Sequence, residues 1–135
     1  MDSDQKHRLM TAKAWLKANT APTQAFPTLN MFANPAWNIM LELYVAGIER
    51  RTVSIGSVSI ASGAAQSTAI RYIAALTEAG LVQRLLDPHD RRKSNVWLTE
   101  RGINGVERAI DAASEGDRRL GLGRLLLVEN VERRL

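Results

Sequence analysis

The chain has 135 residues, 45% hydrophobic and 24% charged, the size and balance of one globular domain with a single core. It holds no cysteine, which excludes disulfides, thiolate metal sites and thiol nucleophiles and suits a cytoplasmic protein. Its net charge of +4, from 18 basic and 14 acidic residues, is compatible with a polyanionic partner; no apolar run approaches the roughly 20 residues that span a bilayer, and Met1-Asp2-Ser3-Asp4 does not read as a signal peptide.

Residues 3–18 carry Leu9, Ala12, Trp15 and Leu16 at helical spacing, with Lys6, Arg8, Lys13 and Lys17 elsewhere. This predicts an amphipathic helix that stops at Asn19-Thr20-Ala21-Pro22. Residues 20–34 hold Pro22 and Pro27 and no clear period, which predicts a loop anchored by Phe26, Leu29 and Phe32. Asn34-Pro35 then has the form of a helix start, a capping side chain followed by proline. Trp37, Met40, Leu41, Tyr44, Val45 and Ile48 recur at spacings of three and four, and Ile39 and Leu43 widen the apolar face. That helix is expected to be buried on most sides. Arg50-Arg51 follow, and the β-branched Thr52-Val53-Ser54 suits a small edge strand that pairs with a later hairpin.

Residues 55–63 predict a short helix with Ile55, Val58 and Ala61 inward and Gly63 as the turn. Residues 65–79 predict a longer one, with Ala65, Ala69, Tyr72, Ile73 and Leu76 inward and Gly80 as the closing C′ glycine. Short helix, glycine turn and longer helix make a helix-turn-helix. A short apolar strand over 81–86, a polar turn over 87–94 and a second strand over 95–98 follow directly. Pro88 has no amide proton and a fixed φ, so the ladder should open there and the loop project. Asp87 can shape that turn through a local side-chain to backbone bond. A hairpin with the consecutive cations Arg91, Arg92 and Lys93 near its tip has the shape of a wing. Beyond Thr99, a suitable N-cap, residues 100–114 carry Ile103, Val106, Ile110 and Ala113 at helical spacing. Glu115-Gly116-Asp117 and Gly121-Leu122-Gly123 interrupt that pattern. Residues 124–135, with Leu125, Leu126, Leu127, Val128, Val131 and Leu135, read as a short final helix that needs something to pack on, either the first helix or a second copy of the chain.

A duplex is read mainly through its major groove, which accepts an α-helix whose N-terminal side chains reach the base edges. Off the inward stripe and near the start of the 65–79 helix stand Gln66, Ser67, Thr68, Ile70 and Arg71. Gln66 can bond adenine in a bidentate fashion, and Arg71 can fork onto guanine or grip a phosphate. Ser67 and Thr68 can donate to phosphates beside the positive end of the helix dipole. Ile70 can touch a thymine methyl. The plain alternative makes Gln66, Ser67 and Thr68 ordinary polar first-turn residues and Ile70 a core filler; taken singly, that alternative holds more often. On the wing, an arginine can enter the narrow minor groove, where negative potential concentrates, and Arg91 is the best placed. Asp90 beside it fits as a carboxylate that orients a guanidinium. Arg92 and Lys93 fit phosphate contacts. Without the preceding helices, the same charge run would read as a solvated loop.

Residues 35–110 resemble a winged-helix regulator of the MarR family. Three stretches carry the resemblance: Gln66-Ser67-Thr68 through Arg71 to Leu76; Ala79-Gly80-Leu81-Val82; and Asp87-Pro88-His89-Asp90-Arg91-Arg92, followed by Leu98-Thr99-Glu100-Arg101-Gly102. The last is the most distinctive, an Asp-x-Arg wing with Leu-Thr and a helix at fixed distance. The resemblance implies a homodimeric transcription factor on palindromic DNA, dimerising through its N- and C-terminal helices, and in many members released by a small aromatic effector. It makes Arg91 the minor-groove arginine, Asp90 its neighbouring carboxylate and residues 66–71 the opening of the recognition helix. Trp15, Trp37, Tyr44 and Phe32 are candidates for an aromatic effector pocket, though aromatics at helical spacing are more often plain core. Two departures stand out. Ala64-Ala65 occupy the place where the family often has a capping Ser or Asp, and the terminal helices are short.

The expected fold is therefore mainly α with a small β-hairpin, a winged helix-turn-helix with flanking terminal helices. Residues 1–34 form an N-terminal helix and connecting loop that can serve as a dimerisation arm; residues 35–114 form the DNA-binding domain; residues 115–135 form a tail that can serve as a dimerisation helix. The expected partners are double-stranded DNA and a second copy, with no membrane, no cofactor and no metal. No P-loop, Gly-x-Ser-x-Gly or dinucleotide fingerprint supports an enzyme, and His7 and His89 lie far apart in charged stretches. Few aromatics argue against a stacked single-strand platform. The competing expectation is a winged-helix protein-interaction module without DNA contact, since a fold alone does not assign function.

Overall fold

Helix α2 (Pro35–Ile48) is the element on which the others pack. Ile39 and Leu41 have no exposure, and Met40, Leu43, Tyr44, Val45 and Ala46 are buried as well, as its two-sided apolar pattern predicts. Around it, in the computed structural model, stand α1 (Ser3–Ala25), α3 (Ile55–Ala61), α4 (Gln66–Glu78), α5 (Glu100–Leu120) and strand β3 (Ser94–Leu98). The structure describes residues 1–29, 31, 33–90 and 93–120; the expected helix over 124–135 lies outside them.

The sheet is antiparallel in the order β1-β3-β2, with β1 at Val53–Ser54 and β2 at Val82–Leu86. Val53 pairs with Val96, and Val82 with Leu98, so the four buried side chains line one face and close the core under α2. Val58 from α3, Ile73 from α4 and Val106 and Ile110 from α5 complete it. Burying each such aliphatic contributes about 1.5–3 kcal/mol. The edge strand, hairpin and helix-turn-helix thus stand where the sequence pattern placed them, and the fold is a winged helix-turn-helix.

Several local expectations are corrected. Helix α1 does not stop before Pro22 but continues to Ala25, because a missing N–H removes one bond while the Phe26 amide still closes on the Pro22 carbonyl at 3.0 Å. Its last turns are held by Asn19, whose amide donates to Asn38 Oδ1 at 3.1 Å. Phe26 and Leu29 anchor nothing in the core, being 50% and 41% exposed; Phe32 lies outside the described residues. Asn34 stands at the N-cap of α2 but makes no side-chain cap bond. Helix α5 runs through Gly116 without a break, since a glycine with nothing against it weakens a helix by only about 1 kcal/mol. Its inward row is Gly102, Val106, Ile110 and Ser114, which leaves Ile103 and Ala113 exposed. The row starts at Gly102 because α5 approaches the backbone of Leu81 there.

Candidate nucleic-acid interface

The turn between α3 and α4 is built by short polar side chains. Ser62, fully buried, donates to the Ser59 carbonyl and accepts from the Ala64 amide at 3.1 Å, and Gly63 takes φ +75°. Buried Asn38 donates to the Ser62 carbonyl at 3.1 Å while its own oxygen holds Asn19, so one amide ties α1, α2 and this turn together. The sequence signal for Asn38 was a polar residue in the first turn of a helix whose other polar side chain before Glu49 is Glu42.

Helix α4 then starts at Gln66 with Ala65 at its N-cap and no side-chain cap bond. Ala65 is exposed rather than inward, because it precedes the helix. A start of this kind leaves first-turn amides for an outside acceptor, and an anion is favoured there by the helix dipole. Ala69 and Ile73 are the buried side of α4, and Leu76 packs on the core. Tyr72, expected inward, is 40% exposed, since it lies off the row that Ala69, Ile73 and Leu76 define.

Gln66, Ser67, Ile70 and Arg71 are all exposed on the opposite side, with Thr68 half-buried at its edge. Spacing of four puts Gln66 above Ile70 and Ser67 above Arg71, so the first two turns present one contiguous face. Ile70 is not a core filler; it is 39% exposed. Ile60, at the end of α3 and 84% exposed, borders the same face, where it shares a surface hollow with Ser57, Ala64 and Gln66.

The wing is a ladder that opens where proline predicts. Leu86 pairs with Ser94, and beyond them the Asp87 amide donates to the Lys93 carbonyl at 3.0 Å. Asp87 Oδ1 accepts from the His89 amide at 2.8 Å, the local turn bond expected of it. Lys93 closes the loop by donating its amide to the Asp90 carbonyl at 3.0 Å. Arg91 and Arg92 lie outside the described residues. Strand β2 is not the apolar strand its sequence suggested: Leu85 and Leu86, at its end beside the turn, are 56% and 62% exposed among the described residues. Arg84, exposed midway along β2, adds a cation to the wing that the apolar reading overlooked. Among the described residues the side chains of Arg71, Arg84 and Lys93 make no hydrogen bond or ion pair, whereas Arg8, Arg51 and Arg101 are all engaged. Among the described residues Lys6, Lys17, Arg50 and Arg108 are likewise exposed and unengaged, so free cations are not confined to α4 and the wing.

Away from that face, a polar cluster joins α1, α2 and α5. Arg8 donates to both oxygens of Asp111 at 3.1 and 2.9 Å, and Tyr44 donates its hydroxyl to Glu107 at 2.9 Å. The bond to Arg8 holds the Asp111 carboxyl below its usual range. Burial, then the bond to Glu107, pushes the Tyr44 phenol above its usual range. Tyr44 also lines a cleft of about 510 Å³ with Leu43, Ile48, Trp97, Ile103 and Arg50. Trp97 has a buried indole N–H without a partner among the described residues. The aromatic set expected for an effector pocket is not assembled: Trp15 and Trp37 pack edge to face, centroids 5.1 Å apart, and neither lines this cleft. Among the described residues no cluster of three or more His, Asp or Glu side chains can hold a metal ion, and no helix is long and apolar enough to cross a membrane.

No protein-family sequence model and no curated protein matches the chain. Solved structures do resemble it. MepR of S. aureus in its DNA-binding conformation is 20% identical with TM-score 0.58, over 93% of this chain and 86% of that one. The MepR–DNA complex is 19% identical with TM-score 0.53, over 85% and 90%. NadR in complex with 4-hydroxyphenylacetate is 20% identical with TM-score 0.51, over 93% and 87%. These neighbours are winged-helix regulators of the MarR family, and the chain has their fold.

Proposed function

We propose that the chain is a sequence-specific, double-stranded-DNA-binding transcriptional regulator of MarR type, working in the cytoplasm as a homodimer. The observation that carries this is the exposed first two turns of α4, where Gln66, Ser67, Ile70 and Arg71 face outward beside an uncapped helix start. Gln66, Ile70 and Arg71 read the major groove, Ser67 and Thr68 hold phosphates, and the wing brings Asp90, Arg91, Arg92 and Lys93 to the adjacent minor groove and backbone. The resemblance to MepR, solved with DNA, supports the assignment. Residues 35–114 are then the DNA-binding domain, 1–34 one dimerisation arm and 115–135 the other. Selection of bound duplexes from a random pool, with the stoichiometry of the complex measured, tests the proposal. A palindromic sequence held by two chains is expected. No enrichment, together with a copurifying protein partner, would favour a docking module instead.

The cleft beside Tyr44 and Trp97 supports an effector site for a small aromatic acid: its lining is largely apolar, Arg50 and Arg51 line it as well, and the Trp97 N–H lacks a partner among the described residues. NadR, solved with 4-hydroxyphenylacetate, supports the ligand class. Saturable quenching of tryptophan fluorescence by such an acid, abolished in Trp97→Phe, is the expected result; identical titrations of parent and variant would remove the site.

A further inference from the structure

Helix α4 ends in a tight C-terminal turn: the Gly80 amide returns to the Thr77 carbonyl and the Leu81 amide to the Leu76 carbonyl, both at 3.0 Å, with Gly80 at φ +78°. That leaves the carbonyls of Ala79, Gly80 and Leu81 facing outward. The start of α5 takes all of them. Arg101 Nη1 donates to Ala79 O at 2.6 Å, Thr99 Oγ1 to Gly80 O at 2.7 Å and the Thr99 amide to Leu81 O at 3.0 Å. Thr99 Oγ1 also accepts from the Gly102 amide at 3.1 Å, so one hydroxyl caps α5 and grips the end of α4.

The charges fit the same arrangement. Helix α4 has no basic residue in its last turn and carries Glu78 there, a sign that opposes its own dipole. The Arg101 guanidinium, brought from α5, supplies the missing cation. A helix of this length puts its base-reading start about 20 Å from that end, so a tilt of a few degrees at the grip displaces Gln66 by ~1 Å. Arg101 is therefore far from the face that meets DNA and close to the pivot that aims it.

We propose that Arg101, with Thr99, is a positioning residue for the recognition helix: it fixes the angle of α4 from α5 and touches no DNA itself. This rests on the DNA-binding reading above. Four chains would be compared by equilibrium binding across a salt series: the parent, Arg101→Ala, Arg101→Lys and Arg71→Ala. Each would be titrated with a duplex selected by the parent and with a random duplex of equal length, and melting would be followed in parallel. Arg101→Ala is expected to lose about three- to tenfold in affinity for the selected duplex, the net scale of one ordinary hydrogen bond. Its affinity for the random duplex and its salt slope should match the parent's, and Arg101→Lys should recover most of the loss. A fall on both duplexes with a slope smaller by about 0.9 would make Arg101 a phosphate contact and overturn the proposal. Unchanged affinity for the selected duplex in Arg101→Ala would overturn it too, with DNA binding left standing. A parent that binds no duplex at low salt would remove the DNA-binding reading and this assignment together.

Discussion

Gly102 lies with its Cα against the carbonyl oxygen of Leu81: a Cβ built on it would overlap that oxygen and stand 3.3 Å from Leu98 Cδ2. Only a residue without a side chain lets the first turn of α5 sit this close to the end of α4. Gly102→Ala should therefore force α5 outward and destabilise the fold by about 1–3 kcal/mol. Urea unfolding monitored by circular dichroism checks this, and an unchanged midpoint would mean that the junction yields freely.

Arg50 takes φ +57° in the turn that ends α2, with its amide on the Gly47 carbonyl at 3.3 Å and the Arg51 amide on the Ala46 carbonyl at 2.8 Å. This is the turn that Gly80 makes after α4, but with a side chain in the left-handed position. Arg50→Gly should stabilise the chain by up to about 1 kcal/mol. A lower urea midpoint would show that the arginine side chain itself holds something in place.

Stability should fall at both extremes of pH. Asp111 is held below the usual carboxylate range by Arg8, and Glu49 by Lys13 first and then Arg51. A depressed carboxyl contributes stability that is complete above its unfolded value, about 4, and is lost as pH falls through the folded one. Tyr44 is shifted the other way, so its contribution is complete below about 10 and is lost as pH rises beyond. Asp111→Asn should flatten the acid limb and Tyr44→Phe the alkaline limb of a stability-against-pH curve. The acid effect is small, since the Asp111 side chain is 52% exposed and solvent screens the pair.

The buried framework was legible in the sequence because periodicity reports which side of an element meets the core. Ile39, Leu41, Val58, Ile73, Val96 and Ile110 all stand inside, as their spacing requires. What failed was inference from single residues whose fate depends on tertiary context. Pro22 did not end a helix whose last turns are held by Asn38, and Leu85 and Leu86, at the end of β2 beside the turn, stay exposed among the described residues. Among the proposed contacts, the exposure of Gln66, Ser67, Ile70 and Arg71 followed from their place off the inward row of α4. Thr99 was legible as a helix cap, but its second bond to Gly80 O, and the reach of Arg101 to Ala79 O, were not. Those bonds join backbone groups some twenty positions away, which local spacing does not encode.

Ile70 provides a chemical test of groove orientation. If it lies on a thymine methyl, replacing thymine by deoxyuridine in the selected duplex should weaken the parent's binding and leave Ile70→Ala unaffected. Equal losses in both proteins would place Ile70 elsewhere.

The central claim is that exposed side chains on α4 and the wing read and hold duplex DNA. Its most direct test is the affinity of the parent, Arg71→Ala and Arg91→Ala for the selected duplex and for random duplex over a salt series. Affinity should fall steeply with salt, by roughly one power per phosphate neutralised, and the base-reading substitution should cost about 1–3 kcal/mol and relax specificity. If both alanine variants bind selected and random duplex as the parent does, recognition does not run through this face.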